Sequence, residues 1–351
     1  MRSLREHGLS IGELEPGPRC SIADVGGVRV GHVTVVRDEP DPPDGRGVAR
    51  SGVTAIVPAA LATLHAEPLR AGVAVLNGAG EMTGSLQVAE WGVIETPVYL
   101  TATMSVGRVF DGAVAAAVAA DPAVGVEDVV IPVVGECDDS WLNDARVVQV
   151  EAADAGRALD AADEVFEQGA VGAGAGMVSF GFKGGVGSAS RRTEGPVETL
   201  VGVLVLANFG ERRHLRVDGV PVGRLLGDED AARPEPAGSC IIVVATQAPL
   251  HAAQLTRVAR RAGLGLARTG STAHHGSGEI FLAFSTARGV DALADDELDG
   301  LFEATVDATE EAVVNALWSA ETVVGREGRV ARGLPRDAVL ELLDEHRRLR
   351  V

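Results

Sequence analysis

Gly238-Ser239-Cys240-Ile241-Ile242-Val243-Val244-Ala245-Thr246 is the stretch on which the fold turns. Before it, Gly227-Asp-Glu-Asp-Ala-Ala-Arg-Pro-Glu-Pro-Ala-Gly238 is charged and broken by proline, a composition that cannot sustain a ladder. After Gly238 the chain becomes apolar at nearly every position, which predicts a strand buried on both faces. Working outward, Val53–Val57, Gly72–Leu76, Val98–Thr101 and Val201–Leu206 have the same texture. Between them, 84–91, 108–120, 151–168, 255–261 and 301–320 carry apolar residues at three-and-four spacing and predict helices. Pro40–Gly45 reads as a solvated turn. The texture is an α/β mixture along the whole chain, without a fixed-period repeat.

The 351 residues, 46% hydrophobic, hold enough apolar material for one large core or two ordinary ones. Fifty acids against 31 bases give a charge of −19, which disfavours nucleic acid and anionic membranes as partners. Lys183 is the sole lysine. Cys20, Cys137 and Cys240 have neither the count nor the spacing of a disulfide framework or zinc site and are read as buried small hydrophobes. The first residues lack the apolar core of a signal peptide, and the apolar runs fall short of the roughly 20 residues that span a bilayer. A soluble, cytoplasmic protein is expected.

Familiar catalytic signatures are absent: no Gly-x-Gly-x-x-Gly, Walker lysine, Gly-x-Ser-x-Gly or His-Glu-x-x-His occurs. His274-His275 with Glu279 offers metal-ligand types, but adjacent histidines diverge on a strand or a helix. The group is read as loop polarity, and no metal or organic cofactor is expected. Gly238-Ser239 suggests another chemistry. The Ser239 hydroxyl could attack the unshielded Gly238 carbonyl, and hydrolysis of the resulting ester would leave serine at a new N-terminus. A free α-amine has a pKa near 8 and can act as general base to its own hydroxyl. On this motif alone, a strand-entry turn remains the plainer alternative.

Several segments, in order, carry a resemblance that weighs on this choice: Ser21–His32, Asn77-Gly-Ala-Gly-Glu-Met-Thr-Gly84, Gly172–Met177 with Phe182–Arg191, Ala207-Asn-Phe-Gly210, Gly238-Ser239 with Ala245–Leu250, Gly276-Ser-Gly-Glu-Ile280, and Ala308–Ala312 with Ala320–Thr322. The chain resembles the self-processing L-aminopeptidase/D-esterase family that includes the β-peptidyl aminopeptidases. That resemblance implies an α+β, four-layer αββα sandwich, similar to N-terminal nucleophile hydrolases but differently connected. It implies one domain, 1–351, cut into an α chain 1–238 and a β chain 239–351 that stay together and assemble into a higher homo-oligomer. The implied activity is that of an autoproteolytically activated serine aminopeptidase or amidase acting on small peptides, amides or esters with a free amine.

Carried over by position, Ser239 matches the nucleophile and Asn208 the oxyanion-stabilising amide. Ser277 would hydrogen-bond Ser239 and relay its proton, while Glu279 would orient Ser277 and the cationic amine. Glu136 matches the carboxylate that receives the substrate's ammonium, a role that suits a buried acid. The bland alternatives are a strand end at Asn208, a turn at Ser277-Gly-Glu279 and a surface acidic loop running from Glu136 into Asp138-Asp139. Lys183 is read as a structural ion pair before a proton relay, and the glycines at 172–176 and 184–187 as points of close backbone approach. Departures fall on the substrate side. Asp138 stands where the family has tyrosine, Ala102 and Met104 where Asn and His are common, and Gln247 where Asp is expected. Asp138 is accordingly assigned to substrate binding, with a preference for cationic substrates. The rival readings are an acyltransferase resembling ornithine acetyltransferases and a non-catalytic relative that binds a small amine.

Overall fold

Strands buried on both faces need cover on both sides, and the chain supplies it in four layers. The computed structural model describes residues 4–194, 198–227, 238–289 and 291–349. The charged segment between Gly227 and Gly238 lies, from 228 to 237, outside the described residues. In one sheet, β1 (Arg29–Asp38), β2 (Val48–Val57), β5 (Val98–Ala102) and β6 (Val133–Cys137) follow the order β1-β2-β5-β6. In the other, β3 (Leu69–Gly78), β4 (Val93–Ile94), β7 (Gly185–Arg192), β8 (Leu200–Asn208), β9 (Gly238–Thr246) and β10 (Ser277–Ser285) are arranged β4-β3-β10-β9-β8-β7.

Alternation along the strands separates the layers. Leu206, Ile241, Val243, Leu282 and Phe284 face Ile56, Leu100, Val133 and Cys137 between the sheets. From the opposite face, Val205, Ile242, Val244 and Phe281 pack on α3 (Ala252–Thr269) and α4 (Asp299–Trp318). Val53, Tyr99 and Val134 pack outward on α1 (Val106–Ala120) and α2 (Ala153–Asp160). Each such buried side chain contributes about 1.5–3 kcal/mol, so these layers dominate the stability. The molecule is an α+β αββα sandwich. At the edge strand β7, Glu311 of α4 accepts from Arg5 Nε and Nη2, each at 2.8 Å, and also from Arg191, tying the N-terminal segment and β7 to the helix.

Helix extents show where tertiary contacts override local pattern. The helix expected over 151–168 ends at Asp160, because Asp163 exchanges backbone hydrogen bonds with Val30 on β1 at 2.9 and 3.1 Å. That over 255–261 extends to Ala252–Thr269, where His251 caps Gln254 and Gly270 closes the helix in the left-handed region. Residues Thr103–Ala120 are long and apolar enough to cross a bilayer by composition. Here that stretch docks through Val109, Gly112 and Ala113 of α1.

Candidate active site

Register gathers the candidate residues at one end of the six-stranded sheet. β9 runs between β8 and β10, antiparallel to the first with Asn208 opposite Ser239, and parallel to the second with Gly238, Ser239 and Cys240 opposite Ser277, Gly278 and Glu279. Opposed residues project to the same side of a sheet. Ser239 and Asn208 therefore share the inter-sheet side with Ile241 and Leu206, while Ser277 and Glu279 share the helix side with Cys240. Gly238 is required by space: a Cβ there would lie 1.9 Å from the Asn208 carbonyl oxygen.

Asn208 does end its strand, and it is also held at both ends. Its Oδ1 accepts from Val178 N–H at 2.9 Å and its Nδ2 donates to the Asp138 carbonyl at 2.8 Å. One of the two Nδ2 hydrogens is left for a ligand among the described residues. Ser239 is buried, with its side chain in hydrogen-bonding contact with Cys137 of the facing sheet. Burial pushes the Cys137 thiol well up, so it stays protonated beside the serine.

Ser277-Gly-Glu279 is strand rather than turn. The Ser277 hydroxyl donates to Glu279 Oε1 and not, as expected, to Ser239. Parallel register explains the difference, because it sets Ser277 beside Gly238 on the side opposite the Ser239 hydroxyl. Across the ladder this pair opposes Gly238 and Cys240. Glu279 is fully buried, burial raises its pKa against the lowering effect of Ser277, and Oε2 has no hydrogen-bond partner among the described residues.

Glu136 lies in β6 and is buried, not part of an acidic surface loop. It accepts from Glu81 N–H at 2.9 Å and from the Thr103 hydroxyl, and burial nevertheless raises its pKa. Gly80 links it to β10, the strand beside the nucleophile's: a Cβ there would be 3.1 Å from Glu136 Oε1 and 3.4 Å from Gly278 Cα. Asp138 accepts from Ser140 N–H at 2.9 Å and offers its carbonyl to Asn208. Met104 is exposed, whereas Tyr99 is buried under α1 and α2 with its phenol pushed up by burial, outside the inter-sheet space that holds Ser239.

Lys183 is not in the expected ion pair. Its ammonium donates to the carbonyls of Gly174, Met177 and Gly184 at 2.8, 2.7 and 2.8 Å, and burial lowers its pKa to about 7. This clamp closes the glycine-rich turn that places Val178 on Asn208. The close approach expected of these glycines is met: a Cβ at Gly184 would lie 2.4 Å from the Ala207 carbonyl oxygen. Cys137, Gly80, Thr103 and Asp139 were not legible as site neighbours. Asp139, buried and bonded to Asn143 Nδ2 at 3.0 Å, has its pKa raised by burial to about 7. His274 meets Glu211 and His214 instead of grouping with Glu279.

A serine and a fixed amide donor stand side by side between two sheets, in an αββα sandwich of the N-terminal nucleophile hydrolase class. The model of peptidase family S58 matches residues 20–331, and the chain belongs to that family. It is an enzyme, a peptidase of the aminopeptidase type. It is 39% identical to a β-peptidyl aminopeptidase of Sphingosinicella microcystinivorans, over 95% of this chain and 90% of that one. A protein of Pyrococcus horikoshii OT3 superposes with a TM-score of 0.94 at 43% identity, covering 99% of this chain and 100% of the other. An L-aminopeptidase D-Ala-esterase/amidase from Ochrobactrum anthropi, described as a variant of the Ntn hydrolase fold, superposes with a TM-score of 0.90 at 36% identity over 99% of both chains.

Proposed function

We propose that the chain cuts itself between Gly238 and Ser239, and that the exposed Ser239 then removes N-terminal residues from small peptides, amino-acid amides or esters. One observation carries this reading. The Ser239 hydroxyl shares a side with the Asn208 amide, while the residue before it, Gly238, is paired with Ser277, whose hydroxyl donates to the buried Glu279.

In processing, Ser239 Oγ bonds to the Gly238 carbonyl carbon, the carbon–nitrogen bond breaks and the nitrogen takes the hydroxyl proton. Water then cleaves the ester, leaving a Gly238 carboxylate and a free amine on Ser239. In turnover that amine, with a pKa near 8, accepts the hydroxyl proton as Oγ attacks the substrate carbonyl. Asn208 Nδ2 meets the developing oxyanion. The ammonium passes its proton to the leaving group, and water releases the acyl residue. Glu279 gains in the new ammonium the counter-charge that burial otherwise denies it. Glu136 does the same for the substrate's amino group.

The activities of the relatives, β-peptidyl aminopeptidase and L-aminopeptidase D-Ala-esterase/amidase, support β-peptides and aminoacyl amides or esters as first substrates. Association of the processed chains into an oligomer is part of the same reading. It is supported by Val75, Leu76, Leu86 and Trp91, which are exposed at β3 and the helix Ser85–Trp91. Intact mass under denaturing conditions tests the central step. Fragments of 1–238 and 239–351 are expected in the wild type and a single uncut, inactive chain in Ser239→Ala, with activity down at least ~10⁴-fold. A wild-type chain that stays whole yet hydrolyses aminoacyl amides would overturn the proposal.

A further inference from the structure

Glu211, His214 and His274 meet outside the peptidase machinery. Each offers one ligand atom, and these atoms lie within 4.8 Å of one another. Glu211 Oε1 is 3.2 Å from His274 Nε2, and the two imidazoles stack with 6.2 Å between centroids and 18° between planes. Nδ1 of His214 is buried without a hydrogen-bond partner among the described residues. The other oxygen of Glu211 is held by Arg213 at 2.6 Å, which fixes the direction in which Oε1 is presented. In a tetrahedral zinc site, with bonds of about 2.0–2.1 Å, neighbouring ligand atoms stand about 3.4 Å apart. The Glu211–His274 pair already has that spacing, and side-chain rotation brings in His214. Two imidazoles and a carboxylate with a fourth position open form a donor set for zinc, too rich in nitrogen for calcium or magnesium.

Position gives the cluster a use. Glu211 comes three residues after Asn208 at the end of β8, and His274 three before Ser277 at the start of β10. The His274 carbonyl accepts from Ser277 N–H at 2.8 Å and from Asn77 Nδ2 at 2.9 Å, so this turn sets the start of β10. We propose that Glu211, His214 and His274 bind one divalent transition ion of the zinc type, tying together the ends of the two strands that flank the nucleophile's strand. Glu211 and His214 precede the Gly238–Ser239 bond and His274 follows it. The ion therefore also bridges the two fragments, a consequence that rests on the self-cleavage proposed above.

Calorimetric titration of ZnCl₂ into chelator-stripped Ser239→Ala chain tests the site in a molecule that cannot be cut. One ion per chain is expected, with affinity at least tenfold weaker in the added variants His274→Ala and His214→Asn. Circular dichroism of both variants should match the parent, and MgCl₂ should give no binding. Absent zinc binding, or binding unchanged in both variants, overturns the site. In processed wild type, ZnCl₂ should raise the urea midpoint at which 1–238 separates from 239–351, and should not do so in His274→Ala. A midpoint unmoved by zinc overturns the bridge. A chain that binds zinc but is never cut would defeat the processing reading and the bridge, and leave the ion site standing.

Discussion

The two halves of the site are built by different rules. On β8, β9 and β10, Asn208, Ser239, Ser277 and Glu279 are placed by backbone register, with Gly238 pressed so closely on Asn208 that a Cβ would come within 1.9 Å of its carbonyl. On the four-stranded side, Glu136 and Asp138 are held at a strand end and in the turn after it by side-chain bonds to the backbone of Glu81 and Ser140, while Met104 is exposed. A register shifts only as a whole, so the nucleophile half tolerates little change. The substrate half can change residue by residue.

Removing the amide at Asn208 should give the largest effect on turnover that the contrast allows. Asn208→Ala is expected to lower kcat about 10²–10³-fold with little change in KM; steady-state kinetics showing the loss in KM alone would assign Asn208 to the substrate half. Glu136→Gln should raise KM about tenfold for substrates with a free amine, the loss of one charge-assisted hydrogen bond. An ester without an amino group should be unaffected, and an equal loss on both would place Glu136 in the scaffold.

Behind the two halves, Asp139 and Lys183 give stability a signed dependence on pH. Asp139 is raised to about 7 when folded, against about 3.9 unfolded, so the folded state holds the extra proton between them and stability falls as pH rises from 4 to 7. Lys183 is lowered to about 7, against about 10.4 unfolded, so the unfolded state binds more protons and stability rises from pH 7 to 10. Urea unfolding across this range should show each limb, at most about 1.4 kcal/mol per pH unit. Asp139→Asn should flatten the lower limb and Lys183→Met the upper; limbs unchanged in the variants would refute the assignment. Smallest should be Asp138→Asn. Its carboxylate is engaged with Ser140 and its contact with Asn208 is through backbone, so selectivity for basic over neutral aminoacyl amides should shift by no more than about threefold. A larger shift would restore Asp138 to direct substrate recognition.

Strand texture made β9 and β8 legible, because burial on both faces leaves an unmistakable apolar run. Ser277 and Glu279 were legible as a pair through two-residue spacing on an extended chain. Their partner was not. Only pairing with Gly238 and Cys240 puts them on the side of the sheet away from the Ser239 hydroxyl, and pairing is a contact across 38 residues of chain. Cys137 opposite Ser239, and Gly80 between Glu136 and Gly278, depend on how two sheets are stacked, for which no local pattern exists. The end of α2 at Asp160 has the same cause.

By itself, the sequence determined which residues are chemically able: a serine after glycine at the head of a buried strand, an amide at a strand end, and few carboxylates in apolar company. Propensity, burial and reactivity are properties of short segments, and those are written locally. The tertiary structure decided which faces they share, that Lys183 clamps carbonyls instead of pairing with an acid, and that His274 meets Glu211 and His214. Those are distances between segments far apart in the chain, and they exist only once the layers have packed.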